Sequence, residues 1–238
     1  MKRWLITALL FSMVILLAGC LYPKDRLQQN QISTGEYIIL VQNAVETYKQ
    51  RTGVLPIKNS KEDTPIYEKY LVDFKKLLDR NVISSIPADA YEAGGANYYV
   101  IIDPEGEMKV KLMDLVTAGQ VSDIQRRIDS YVAEGNDLPQ GELVMPGFYR
   151  IDFERIGMKS EQVRSVYTDM FLSILIHKSG RVTVDYAPEV MRAIKLKEIS
   201  NPDPNIDLRI YLVEQSNYIP VNSYPYYWKD NEPVISEL

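Results

Sequence analysis

The chain has 238 residues with 27 Lys and Arg against 32 Asp and Glu, one His and one Cys. The acidic balance argues against nucleic acid as a partner, a single Cys excludes an intramolecular disulfide, and a single His excludes a multi-histidine metal site. At 46% hydrophobic residues the chain can build an ordinary core.

In chain order, Lys2 and Arg3 precede an apolar run from Trp4 to Ala18, interrupted only by Thr7 and Ser12. That run is shorter than the roughly 20 residues a membrane-spanning helix needs, and its length and flanks fit a secretory signal. The run leads into "LLAGCLYP", where Leu17-Ala18-Gly19-Cys20 resembles the bacterial lipobox. The resemblance implies lipid transfer to the Cys20 thiol and removal of residues 1–19. Two or three acyl chains would then hold the chain in the membrane. Removing residues 1–19 leaves 25 Lys and Arg against 32 Asp and Glu, so no second, electrostatic grip on anionic lipid is expected. Residues 20–35 comprise the lipidated cysteine and a polar tether without apolar periodicity.

Folded structure is expected from Glu36. Ile38, Val41, Val45 and Tyr48 recur at helical spacing, with Ser33 or Thr34 as N-cap and Gly53 as the stop. Thr64-Pro65 reads as a second helix start, with Tyr67, Tyr70, Leu71, Phe74, Leu77 and Leu78 as its apolar face. "NYYVIID" (97–103) and "MKVKLMD" (108–114) read as strands of a hairpin turned by "PEGE". A helix carried by Val121, Ile124, Ile128, Tyr131 and Val132 follows, ended by Gly135. "GNDLPQGELVMPG" (135–147), with three Gly and two Pro, is the expected boundary between two halves, 36–135 and 148–238. Beyond it "GFYRIDFERI", "MFLSILIHKSGRVTVDY" and "DLRIYLVE" read as strands, and "PEVMRAIKLKE" as a short helix. The fold class is α+β, with an antiparallel sheet in the second half. Both halves contain a strand, a Gly-bearing turn, a strand and then a helix, a weak repeat signal.

"AVETYKQRTGVLP" (44–56) and "IPADAYEAGGANYYV" (86–100) resemble the passage from stem helix to globular head in pseudopilins, over residues 36–114. A pilin stem is long and apolar, whereas Glu36 to Arg51 is short and amphipathic, so the resemblance implies no stem-driven filament. The whole chain resembles the membrane-anchored lipoproteins of spore-forming Gram-positive bacteria, a family that implies location and little else.

Signatures of catalysis are missing: there is no G-x-S-x-G, S-x-x-K, H-E-x-x-H, phosphate loop or G-x-G-x-x-G. His177, at a strand end before Lys178-Ser179-Gly180, reads as an exposed turn residue. Asp203, Asn205, Asp207 and Glu214 stand at positions 1, 3, 5 and 12 of a calcium-type loop, but Leu208 occupies the position that needs Gly and Arg209 adds a cation. A turn entering a strand is the favoured reading there. The Tyr-rich "NYIPVNSYPYYW" (217–228) reads as an extended segment whose rings pack across the sheet, with stacking on sugars as the alternative. The expectation is a lipid-anchored, extracytoplasmic component of the cell envelope that binds or supports without catalysis, needs no cofactor and meets an envelope protein or wall partner. A wall-glycan binder or carboxylate-type glycan hydrolase is the alternative.

Overall fold

The computed structural model describes residues 34–168 and 170–236. The fold is α+β, with antiparallel hairpins and helices. Cys20 and the lipobox lie outside the described residues, and among those described no helix is long and apolar enough to cross a membrane.

Helix α1 (Thr34–Thr52) buries Val41, Ala44, Val45 and Tyr48, one stripe at spacings of three and four. It ends at Gly53, whose φ of 75° suits a residue without Cβ and lets its N–H reach the Lys49 carbonyl at 2.8 Å. Helix α3 (Leu115–Ala133) buries Val121, Ile124 and Ile128, and the Asp114 carboxylate accepts from the Val116 and Thr117 N–H groups at its start. Both helices form where the sequence places them, although Val132, expected on the buried stripe of α3, is exposed.

The expected helix from Thr64 does not form as one element. A single 3-10 turn (Ile66–Glu68) is followed by an extended stretch and then by α2 (Phe74–Asp79). Leu71 and Val72 are drawn into sheet pairing: Leu71 bridges Val100, and the Val72 N–H donates to Tyr99 at 2.8 Å. Asp73 then caps α2 through the Lys75 and Lys76 N–H groups. "DLRIYLVE" is a second correction, since its core is α5 (Ile210–Gln215). Its β-forming residues bury Leu208, Leu212 and Val213 along a helical face, after a turn in which Asp207 accepts from the Arg209 and Ile210 N–H groups. Tertiary packing overrides intrinsic strand preference here.

Strands β1 (Asn97–Ile102) and β2 (Lys109–Asp114) form one hairpin. A second sheet runs in the order β3 (Gln140–Met145), β4 (Phe148–Ile151), β6 (Phe171–His177), β5 (Gln162–Arg164), with β7 (Val182–Val184) also on β6. Helix α4 (Ala187–Leu196) follows β7, and β8 (Tyr226–Lys229) and β9 (Glu232–Ile235) close a last hairpin.

A repeat joins the two sheets, and its unit begins with a helix. "VQNAVETYKQRTGVLP" (41–56) aligns without gaps to "IQRRIDSYVAEGNDLP" (124–139), and "YLVDFKKLL" (70–78) to "YRIDFERIG" (149–157). The bonding follows the alignment. The Gln42 amide donates to the Met108 carbonyl at 3.0 Å and accepts from the Val110 N–H at 2.7 Å. Gln125 does the same with Gly180 at 3.0 Å and Val182 at 2.7 Å. Each amide also donates one turn along its helix, to Glu46 and Asp129. The Asp73 N–H donates to Pro56 at 2.7 Å, and the Asp152 N–H to Pro139 at 2.9 Å. Pairing registers agree as well: Leu71 with Val100 and Val100 with Lys111 match Arg150 with Leu175 and Leu175 with Thr183.

The segment from Asn217 to Asn222 ties the two repeats together. At equivalent positions on β2 and β7, the Leu112 N–H donates to the Asn217 carbonyl at 2.8 Å and the Val184 N–H to the Asn222 carbonyl at 3.0 Å. The segment also buries Ile219 and Val221 with Val100, Ile102 and Met113 on one face of the first hairpin. The alternate residues Tyr99, Ile101, Val110 and Leu112 face the core built with α1, as the period of two requires.

Candidate binding cleft

The repeats differ most between their first strand pair. Tyr70 follows Pro56 by fourteen positions, whereas Tyr149 follows Pro139 by ten. The longer loop carries Glu62 to Ile66 to one side of a cleft of about 400 Å³, where it meets Arg181, the Asp207–Arg209 turn and the segment Ser223 to Tyr227. Pro65, Ile66, Tyr224, Pro225 and Tyr227 give the lining its apolar character.

Arg209 is buried in the cleft wall and already committed. Its Nε lies 3.1 and 2.9 Å from the two Asp207 oxygens, its Nη2 donates to Oδ2 at 2.6 Å, and its Nη1 donates to the Ser223 carbonyl at 2.8 Å. The guanidinium sits 4.9 Å from the Tyr67 ring centre. Burial, reinforced by the Asp207 charge, pushes the Tyr67 phenol up to about 12. Behind it, burial raises the Glu68 carboxyl above the usual glutamate value, although Oε1 accepts the Asn222 N–H at 2.7 Å and both Arg181 and Arg209 oppose the rise.

Arg181 differs from Arg209. It is exposed, its guanidinium lies 5.1 Å from the Tyr224 ring centre, and among the described residues it forms no ion pair. Tyr224 is held in turn by edge contact with Phe148 at 5.0 Å and by His177 at 5.2 Å.

His177 is therefore not an exposed turn residue. It pairs with Phe148 as the last residue of β6, is only 7% exposed, and takes the Ser179 N–H on Nδ1 at 3.2 Å. Strand register turns its ring inward, between Phe148 and Tyr224. The four residues of the calcium-type loop have separate partners. Asp203 accepts from Asn205, Asp207 holds Arg209, and Glu214 pairs with Lys197. Among the described residues no group of three or more His, Cys, Asp or Glu side chains could hold a metal ion. The Tyr-rich segment packs in part as expected: Tyr226 is fully buried and its hydroxyl accepts from the Tyr186 N–H at 2.8 Å, whereas the half-buried Tyr224 and Tyr227 line the cleft.

One buried polar cluster has no sequence signature. Glu189, 1% exposed, accepts hydrogen bonds from the Ser165 hydroxyl and, at 2.6 Å, from Thr168. Ser165 itself accepts from the Tyr167 and Thr168 N–H groups. The carboxylate thus anchors a capped turn to α4, which accounts for all three side chains structurally.

The sequence does contain a signal for the cleft, in "SKEDTP", which lies in the loop that is four residues longer in the first repeat than in the second. Residues 34–114 match the family model described as the YphF family N-terminal domain, a stretch that ends where the first repeat ends. No curated protein and no solved structure matches the chain. The chain is thus similar to the YphF family N-terminal domain over its first repeat.

Proposed function

We propose that the chain is a membrane-anchored extracytoplasmic lipoprotein that acts as a non-enzymatic binding component of the cell envelope, with the cleft as its contact surface. Location is supported by the order of basic residues, apolar run and Leu17-Ala18-Gly19-Cys20. Binding is carried by one observation: an apolar cleft that presents the exposed Arg181, placed over Tyr224 and in no ion pair among the described residues, with only the buried Glu68 carboxyl in electrostatic reach. Concave, mostly apolar surfaces with a few directed polar groups are where ligands bind.

The test has two arms. Cys20→Ala is expected to abolish fatty-acid labelling and processing; continued labelling sinks the anchor. A photo-crosslinking residue at Ile66, in the cleft, is expected to capture a discrete partner in intact cells, while one at Arg126, on α3, is not. Equal capture at both positions would sink the cleft as the contact surface.

A further inference from the structure

The two repeats act as internal controls for each other. Features present in both hold the fold, and a charge that is neutralised in one repeat and lacks an ion pair in the other is not explained by the shared fold. The register equates Arg181, just before Val182, with Lys109, just before Val110. Lys109 is neutralised by Glu107 at 3.0 Å. Arg181 makes no ion pair among the described residues, its charge reaching only the buried Glu68 carboxyl, and it stands over Tyr224. The carboxylates of Glu62 and Asp63, on the loop that is longer in the first repeat, line the same cleft, are exposed, and make no ion pair among the described residues. The remaining charges, Asp207 and Arg209, cancel each other. The cleft therefore offers one cation and a carboxylate pair on separate segments, with Pro65, Ile66, Pro225 and Tyr227 lining it as well.

We propose that this cleft takes a short peptide with free termini, its carboxylate on Arg181, its ammonium at Glu62 and Asp63, and an apolar side chain against Pro65 and Tyr227. The inference rests on the binding role assigned to the cleft and specifies its ligand. A purely anionic ligand would leave Glu62 and Asp63 opposing it, and a purely cationic one would meet Arg181. Only a ligand carrying both charges is complementary to all three groups. The cleft of about 400 Å³ falls at the small end of the range for small-molecule sites, about 300–1,000 Å³. Arg181 can offer a carboxylate two parallel N–H donors, and its stacking on Tyr224 reduces the side-chain entropy lost on binding.

Calorimetry on the full chain in detergent micelles tests the assignment with four probes: the dipeptide Ala-Phe, its N-acetyl form, its C-terminal amide, and free phenylalanine. Ala-Phe should bind about tenfold or more tightly than either blocked form, the loss expected for one charge-assisted contact. Arg181→Gln should erase the difference between acid and amide, and Glu62→Gln with Asp63→Asn should erase the difference made by acetylation. Both variants should keep the wild-type unfolding midpoint, because the altered side chains are exposed. Free phenylalanine binding as tightly as Ala-Phe would replace the peptide by an amino acid and overturn the peptide assignment. Equal binding of Ala-Phe and its amide, discrimination that survives Arg181→Gln, or no probe binding below about 1 mM would each overturn it. Capture through Ile66 in cells reads the binding role separately, so a partner captured there without peptide binding would reject the ligand class alone.

Discussion

Replacing Gln125 by Leu tests whether the paired glutamine clamps hold the helix of each repeat to its hairpin. Leu fills similar space and keeps water out, but it can neither donate to Gly180 nor accept from Val182. Each lost hydrogen bond is worth about 1 kcal/mol net, and a buried N–H left without a partner costs a further 1–3 kcal/mol or so. Val182 is 2% exposed, so its N–H has little access to water. The expected loss is about 3–5 kcal/mol, and Gln42→Leu, acting on Met108 and Val110, should cost a similar amount. Urea unfolding of a soluble chain spanning residues 34–238 reads this directly. With an m-value of about 2–3 kcal/mol/M, each midpoint should fall by roughly 1–2 M at unchanged m. Gln125→Glu keeps the acceptor for Val182 but loses the donor and sets a second carboxylate one turn from Asp129, so its cost should rise above the carboxylate pKa range. A Leu variant within about 0.5 kcal/mol of wild type at either position would refute the reasoning, because it would show that the clamps are decoration on strands held by other contacts.

Two further outcomes are expected. Gly95→Ala should destabilise by upwards of about 2 kcal/mol in the same assay, since the new Cβ would sit 2.1 Å from the Asp89 carbonyl carbon and backbone must move to admit it; a neutral result would mean that the Asp89–Gly95 turn yields cheaply. Burial raises the folded-state pKa of Glu68, so the native chain holds that proton more tightly than the unfolded one, and stability falls as pH rises from the ordinary glutamate value to the raised one. Glu68→Gln keeps an oxygen for the Asn222 N–H and should flatten that part of the stability–pH curve, which an unchanged slope would contradict.

The long helices were legible because local and tertiary demands agree in them. Val41, Val45 and Tyr48, like Ile124 and Ile128, recur at helical spacing and meet a left-handed glycine at the end. The stretch from Thr64 to Leu78 was not legible, because Leu71 and Val72 answer to a partner strand almost thirty residues away. "DLRIYLVE" misleads in the opposite direction: its strand formers complete a helical face set by Asp207 and buried beside α4. The repeat is visible in the residues, in the Gln, the Tyr and the Leu-Pro shared by 41–56 and 124–139. Reading the unit from hairpin to helix, instead of from helix to hairpin, hides that alignment. The cleft was beyond local inspection, since Glu62 and Tyr227 meet only after both repeats have folded.

The segment from Asn217 to Asn222 sets an order on how the molecule comes into being. Synthesis delivers a chain from its N-terminal side, so both hairpins emerge before the residues that occupy the outer N–H groups of Leu112 and Val184. Until then two strand edges with equivalent hydrogen-bonding vacancies are open, and each is a template for the other or for a neighbouring chain. The nascent protein is thus most exposed to misassociation just before Asn217 arrives. Truncations upstream of that residue would not yield a smaller stable protein; they would fix the chain in its most adhesive state.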